Sequence, residues 1–227
     1  MPTIQYSKLG DYNRSRDVVN QDWICKAKTS RFEVYAVADG VSACENGHIG
    51  AKVATQAVCE YLLQAKEDIF TFDIKKTAYL VIEQVCHKLK EKSKADNMPL
   101  NSYASTLLFC LLDRKVGTMM LFNLGDGAIF SASGDTCKLA LPPLNLGDNT
   151  CALTTTKGAY KTAQVKIMRI DPDNPVLLCT DGLYNLMKDR SAEANIKQMI
   201  KNKMHNQLCD YLNRAQTTDD CSFVHIC

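Results

Sequence analysis

Apolar residues recur with a helical period in two long segments of the chain. Between residues 49 and 62 they return every three or four positions, which predicts an amphipathic helix. A second such helix is predicted from Ile74 to Leu89, and it continues into a lysine-rich stretch over residues 88–94 that is typical of a solvated helix end. Two shorter helices are predicted at about residues 192–201 and 205–214.

Short apolar segments bounded by turn residues predict strands elsewhere. From residue 103 to residue 141, turns that contain Gly or Asp separate such segments, which suggests an antiparallel meander. Strands dominate both halves of the chain, whereas the helices come in two pairs. This grouping favours an α+β layered domain over alternating βαβ units. The predicted strands are 23–29, 32–38, 107–112, 118–124, 128–131, 136–141, 163–170, 176–179 and 222–226.

Three strongly apolar segments end in an Asp-Gly pair. The pairs are Asp39-Gly40, Asp126-Gly127 and Asp181-Gly182. A single Asp-Gly pair is most simply a hairpin turn. However, a carboxylate at the end of a buried strand is costly unless a positive group meets it, and few Lys or Arg residues are adjacent. Together with the acidic pair Asp219-Asp220 before another strand, the three pairs favour an oxygen-ligand site for a hard divalent cation.

Composition narrows the class of protein. A chain of 227 residues with 46% hydrophobic content can bury the core of one large domain. The net charge of +2 indicates neither nucleic acid nor an anionic membrane as a binding partner. No window approaches the roughly 18 apolar residues of a membrane span, and the first residues do not resemble a secretory signal. We therefore expect a cytoplasmic protein.

The cysteines and histidines predict no zinc site. Eleven cysteines lie singly along the chain, with no C-x-x-C pair, and the four histidines form no helical pair. Free thiols in a reducing compartment are the simpler interpretation.

Five ordered motifs carry a resemblance to a known family. They are Asn20-Gln21-Asp22, Ala38-Asp39-Gly40, Leu124-Gly125-Asp126-Gly127, Thr180-Asp181-Gly182-Leu183 and Asp219-Asp220-Cys221-Ser222. In this order and spacing, the chain resembles the metal-dependent protein phosphatases of type 2C, from about Gly10 to its last residue. The resemblance implies a four-layer α-β-β-α sandwich, in which helix pairs flank two central antiparallel sheets. It also implies one catalytic domain over residues 1–227.

The resemblance assigns metal-binding roles residue by residue. Asp22 would bridge two ions, and Asp39 would bind one of them beside the backbone carbonyl of Gly40. Asp181 and Asp219 would hold the other ion, partly through water. The family uses Mg²⁺ or Mn²⁺, which agrees with an all-oxygen ligand set.

The implied activity is hydrolysis of phosphoserine or phosphothreonine on proteins by a metal-activated bridging water. The catalytic residues would be Asp22, Asp39, Asp181 and Asp219. Arg16 would bind the substrate phosphate through two hydrogen bonds, with Arg14 as the next candidate. Asp126 corresponds to a position linked to a third, weaker metal. The partner would be a phosphorylated protein, with no nucleic acid or membrane, and we expect the enzyme to act as a monomer.

The chain departs from the family pattern at several positions. Gln21 replaces the usual Glu, Arg16 lies six residues before Asp22, and Val41-Ser42 follows Gly40 where many members have His. The segment 126–181 leaves little room for the flap subdomain of many relatives. These departures support an alternative, a catalytically weak or inactive phosphatase-like module with a regulatory or binding role. The Asp220 side chain is expected to form hydrogen bonds rather than to ligate metal.

Overall fold

Two five-stranded antiparallel sheets form the centre of the protein, within residues 2–64, 73–146 and 149–227, which this computed structural model describes. Sheet I contains, in order across the sheet, β10 (Gln164–Arg169), β5 (Thr118–Leu124), β4 (Leu107–Asp113), β3 (Phe32–Asp39) and β2 (Asp22–Lys28). Sheet II contains β1 (Thr3–Lys8), β12 (Cys221–Ile226), β11 (Val176–Cys179), β6 (Ala128–Ser133) and β7 (Thr136–Leu141). A small ribbon pairs β8 (Asn145–Leu146) with β9 (Asn149–Thr150).

Helices cover the outer face of each sheet. The helices are α1 (Asp11–Ser15), α2 (Gly47–Gln64), α3 (Ile74–Asp96), α4 (Asp181–Leu186), α5 (Arg190–Lys201) and α6 (His205–Arg214). The α2 and α3 helices pack on sheet I, whereas α5 and α6 pack on sheet II. Among the described residues, none of the helices has the length and apolar character needed to span a membrane.

The central strands are apolar on both faces because each sheet lies between two packed layers. In β3, Val34 and Ala36 pack towards the helices, whereas Tyr35 and Val37 face the other sheet. Since successive side chains of a strand point to opposite faces, both sets must be hydrophobic. This arrangement confirms the α-β-β-α sandwich that the sequence resemblance implied.

The prediction of one meander over residues 103–141 is wrong. The hairpin of β4 and β5 belongs to sheet I, and the hairpin of β6 and β7 belongs to sheet II. The chain crosses between the sheets after Leu124, and the Asp126-Gly127 pair lies in this crossing. The pattern did not reveal the crossing because both hairpins are apolar on the faces that meet.

Besides the short ribbon of β8 and β9, three elements next to the acidic residues lacked a sequence prediction. The edge strand β1 alternates between half-buried and exposed residues without a strong apolar set, and α1 and α4 are too short to show a helical period. These elements lie next to the acidic residues, so they matter for the site described below.

Candidate active site

The strand ends bring five aspartates to one edge of the sandwich. Asp22 begins β2 and lies directly opposite Asp39, the last residue of β3. Asp181 begins α4 immediately after β11, and Asp219 lies two residues before β12. Asp126 lies in the crossing between the two sheets. None of the three Asp-Gly pairs forms a two-residue hairpin turn.

The electrostatics show that these carboxyl groups share one site. Burial raises the pKa of Asp39 well above its usual value, and the charges of Asp22, Asp181, Asp219 and Asp126 raise it further. Burial raises the pKa of Asp22 to about 8 and that of Asp181 to about 7. The pKa of Asp219 is raised as well, mainly by burial. Like charges have this effect at short range, so the five carboxyl groups are neighbours.

The donor set fits hard divalent cations. One carboxyl oxygen of Asp22 and one of Asp181 (Oδ1 in each) are buried and accept no hydrogen bond. A buried carboxylate oxygen without a partner is costly, and a cation would satisfy it. Oxygen ligands of this kind suit Mg²⁺ or Mn²⁺.

The ligand oxygens are not gathered tightly around one point. No three of the five carboxylates have oxygens that all lie within 4.8 Å of one another, among the residues with described coordinates. Mutual repulsion keeps uncompensated carboxylates apart, and ligands divided between two ions would also be spread out.

Two buried threonines orient the facing aspartates. The Thr180 hydroxyl donates to Asp22 Oδ2 over 2.8 Å and accepts a 3.0 Å hydrogen bond from the backbone N–H of Ser222. The backbone N–H of Asp39 donates to Thr106 Oγ1 over 2.8 Å, and the Thr106 N–H donates to the Asp39 carbonyl over 2.8 Å. Sequence reasoning missed both roles. Thr180 could have been noticed as the residue directly before an Asp-Gly pair.

Asp220 holds the surrounding segments together. Its carboxylate is buried and accepts hydrogen bonds from Gly10 N (2.7 Å), Asn13 Nδ2 (2.9 Å) and Gln21 N (2.6 Å). These bonds tie α1 and the start of β2 to the segment that carries Asp219. The expected hydrogen-bonding role of Asp220 is confirmed.

Close backbone approach requires glycine at Gly10 and Gly182. A Cβ atom on Gly182 would lie 1.9 Å from the carbonyl oxygen of Asp220, and one on Gly10 would lie 2.3 Å from the carbonyl carbon of Asp219. The glycines therefore allow the 219–220 segment to lie between α1 and α4, where its acidic residues reach the site.

Gly40 lies at the centre of this edge. Its N–H donates to the Gln21 carbonyl over 3.1 Å, and its backbone packs against the start of α2. The Gln21 side chain donates to the Val19 carbonyl over 2.9 Å.

Arg16 lies at the exposed end of α1. Its guanidinium donates to the Tyr12 hydroxyl and lies 5.0 Å from the centre of the Tyr12 ring. The first turn of α1 is anchored beside the acidic segment, because the N–H groups of Asp11 and Tyr12 donate to the carbonyls of Thr217 and Thr218. Arg14, in contrast, forms an ion pair with Asp11 over 3.2 Å.

Comparison with known proteins places this geometry in a family. The family model described as protein phosphatase 2C matches residues 9–219. No curated protein sequence matches the chain significantly.

Several solved structures share the fold over nearly the whole chain. A bacterial serine phosphatase superposes with a TM-score of 0.75 at 14% identity, covering 100% of this chain and 97% of the other. The serine/threonine phosphatase Stp1 from Staphylococcus aureus gives 0.75 at 13% identity, covering 100% and 94%. The catalytic domain of the serine/threonine protein phosphatase PstP, solved with two manganese ions, gives 0.70 at 13% identity, covering 99% and 96%. With the family model matched over residues 9–219, the chain belongs to the protein phosphatase 2C family and is a phosphoprotein phosphatase.

Proposed function

We propose that the protein hydrolyses phosphoserine and phosphothreonine esters on proteins and that Mg²⁺ or Mn²⁺ is required for this reaction. The observation that carries the proposal is the convergence of five aspartates at one edge of the sandwich, two of them with buried oxygens that accept no hydrogen bond. Charged carboxylates in this environment repel one another, and divalent cations would offset that repulsion.

The residues present would divide between two ions. Asp22 would bridge the ions, Asp39 and the carbonyl of Gly40 would complete one side, and Asp181 and Asp219 would complete the other. When bound, such ions lower the pKa of a water molecule and neutralise charge on phosphoryl oxygens. The structural neighbour PstP was solved with two manganese ions, which supports a pair of ions here.

Two threonine side chains of the protein orient the carboxylates that would bind the ions. Thr180 fixes one oxygen of Asp22 through a 2.8 Å hydrogen bond and leaves the other available to a cation. Thr106 fixes the backbone at Asp39 on the opposite strand. Asp126 extends the acidic edge, where it would hold a third, weaker ion.

Arg16 would bind the substrate phosphate. It is exposed at the end of α1, and a guanidinium can bind a phosphate with two parallel hydrogen bonds. Arg16→Ala should raise KM for a phosphopeptide more than it lowers kcat. The matched control is Arg14→Ala, because Arg14 is an exposed arginine of the same segment that is already paired with Asp11.

We place this activity in one domain over residues 1–227 that acts as a monomer in the cytoplasm. All eleven cysteines are free thiols, which supports a reducing compartment. The substrate would be a phosphorylated protein.

Phosphate release from a phosphoserine peptide tests the proposal. We expect Mn²⁺-dependent release by the wild type and at least a hundredfold loss in Asp39→Asn and Asp181→Asn. Asp135→Asn is the control, because its side chain is fully exposed and remote from the cluster. Full activity in either cluster variant would overturn the assigned roles.

The alternative of an inactive module is tested in the same series. Gln21 and the absence of His after Gly40 motivate it. Calorimetry with Mn²⁺ separates the two, because a scaffold without catalytic function should bind the ion weakly and release no phosphate.

A further inference from the structure

Three potential metal ligands cluster outside the carboxylate site. They are His205, His225 and Cys227, and one ligand atom from each lies within 4.8 Å of the other two. Over the described ranges of the chain, no other three His, Cys, Asp or Glu side chains come this close.

The fold brings these ligands together from two elements. In β12, Val224 and Ile226 face the other sheet, whereas Phe223 packs towards the helices. Strand alternation therefore places His225 on the helix side. His205 is the first residue of α6, which packs on this face. Because His205 lies 20 residues from His225, spacing along the sequence did not reveal the site.

The distances match those between ligands of one ion. His225 Nε2 lies 3.4 Å from Cys227 Sγ, and the two imidazole rings have centroids 4.7 Å apart. In a tetrahedral zinc site, bonds of about 2.3 Å to sulfur and about 2.0–2.1 Å to nitrogen separate the two ligand atoms by about 3.5 Å.

Ring nitrogens of both histidines lack partners. His225 is fully buried, and its Nδ1 accepts and donates no hydrogen bond. The Nδ1 atom of His205 is also buried without a partner. Burial without a partner is costly for a polar atom, so an ion bound through Nδ1 of His205 would stabilise the folded chain, whereas His225 would bind through Nε2, the atom beside Cys227.

Metal binding by these three side chains would release one proton, from the thiol of Cys227. Burial, together with the charges of His205 and Lys203, lowers the pKa of His225 to about 3. Imidazole binds metals in its neutral form. Burial raises the pKa of Cys227 to about 11, although the charge of Lys203 lowers it. An ion would therefore displace the thiol proton to solvent.

We propose that His205, His225 and Cys227 form a binding site for Zn²⁺, separate from the carboxylate site. Two imidazoles and a thiolate favour Zn²⁺ over Mg²⁺ or Mn²⁺. Water would supply the fourth ligand on the side of His205, which is partly exposed. The nearby Lys203 opposes a cation, but its ammonium group is engaged by the Pro172 carbonyl over 2.6 Å.

The ion would act on stability rather than on the reaction. His225 lies four residues along β12 from Cys221, about 13 Å at 3.3 Å per residue, and Asp219 lies two residues before that strand. An ion at this distance would not contact a phosphate bound at the aspartates. It would instead join the start of α6 to the end of β12.

A Co²⁺ titration of the metal-free, fully reduced protein tests the site. Only a thiolate ligand gives a sulfur-to-Co²⁺ charge-transfer band in the near ultraviolet, so Co²⁺ at the aspartates is silent in this region. We expect the band at one ion per chain in the wild type and in Asp39→Asn, which should lack phosphatase activity. This combination separates the zinc site from the proposed catalytic function.

Ligand variants complete the test. Cys227→Ser should abolish the band, and His205→Gln should weaken Co²⁺ binding at least tenfold. Cys209→Ser on α6 is the matched control and should keep the band, because Cys209 is not part of the cluster. Each variant should retain Mn²⁺-dependent activity, which shows that it folds.

Zn²⁺ should also raise the melting temperature. At 100 times Kd, the rise for a chain of this size should be about 5–10 °C larger in the wild type than in Cys227→Ser, because any Zn²⁺ at the aspartates would act equally on both. An active wild type without the band would overturn the proposal and leave a thiol–imidazole hydrogen bond in its place. An undiminished band in Cys227→Ser would overturn it as well.

Discussion

Replacing Asp220 with alanine should destabilise the protein strongly, although this residue is not assigned to a metal. Its buried carboxylate accepts three hydrogen bonds from the N–H groups of Gly10, Asn13 and Gln21. In Asp220→Ala these donors would lose their acceptor inside the protein. The segments that they belong to would then be held to the 219–220 segment by fewer contacts.

The magnitude follows from two opposing effects. A hydrogen bond to a charged group contributes about 1.5–3 kcal/mol, so three bonds would contribute roughly 5 kcal/mol or more if they were independent. Removal of the Asp220 charge also relieves repulsion, because this charge raises the pKa of Asp22. We therefore expect a net loss of about 3–4 kcal/mol in the free energy of unfolding without metal.

Urea unfolding in EDTA, followed by circular dichroism, measures this loss. Asp220→Asn should lose only about 1–2 kcal/mol, since it keeps one oxygen for the two donors that share Oδ2. Asp210→Ala, at an exposed position on α6, is the control and should change stability by less than about 0.5 kcal/mol. If Asp220→Ala also stays within about 0.5 kcal/mol of the wild type, the inferred role of this carboxylate is refuted.

Three further predictions concern other parts of the molecule. Thr180→Val should weaken Mn²⁺ binding about 10- to 100-fold in calorimetry, because Asp22 loses the hydroxyl that orients it; unchanged affinity would contradict this role. Gly182→Ala should lower the melting temperature by several degrees, since its Cβ would lie 1.9 Å from the Asp220 carbonyl oxygen, and a wild-type melting curve would count against that close approach. Burial raises the pKa of Glu33, but hydrogen bonds from charged neighbours outweigh it and leave the pKa at about 2, below the usual 4.5. The stabilisation from Glu33 is therefore complete above about pH 4.5 and is lost as the pH falls towards 2. In urea titrations over this range, Glu33→Gln should lose less stability than the wild type. Equal losses would argue against the ion-pair network.

The α+β layered class could be predicted from the grouping of strands and helices, and the four-layer sandwich followed from the family resemblance. The segment of β3 is almost wholly hydrophobic, and the structure explains this by burying its alternate residues against the helices and against the second sheet. The predicted strand and helix ranges agree with the structure to within a few residues. The division of residues 103–141 between two sheets could not be predicted, because it depends on packing between distant strands that the local pattern does not specify.

The acidic site was predictable in part. Asp22 and Asp39 belong to short motifs whose order indicates the family, and the structure pairs them across two strands. The position of Thr180 before an Asp-Gly pair was a local signal, but the contacts of Thr106 and Thr180 depend on tertiary packing between distant segments. The role of Arg16 remains a prediction.

The most direct test of the central claim is anomalous diffraction from crystals grown with MnCl₂. We expect two manganese peaks bridged by Asp22, with Asp39 on one ion and with Asp181 and Asp219 on the other. Crystals in which no manganese contacts these four side chains, at concentrations that support full phosphate release, would contradict the account.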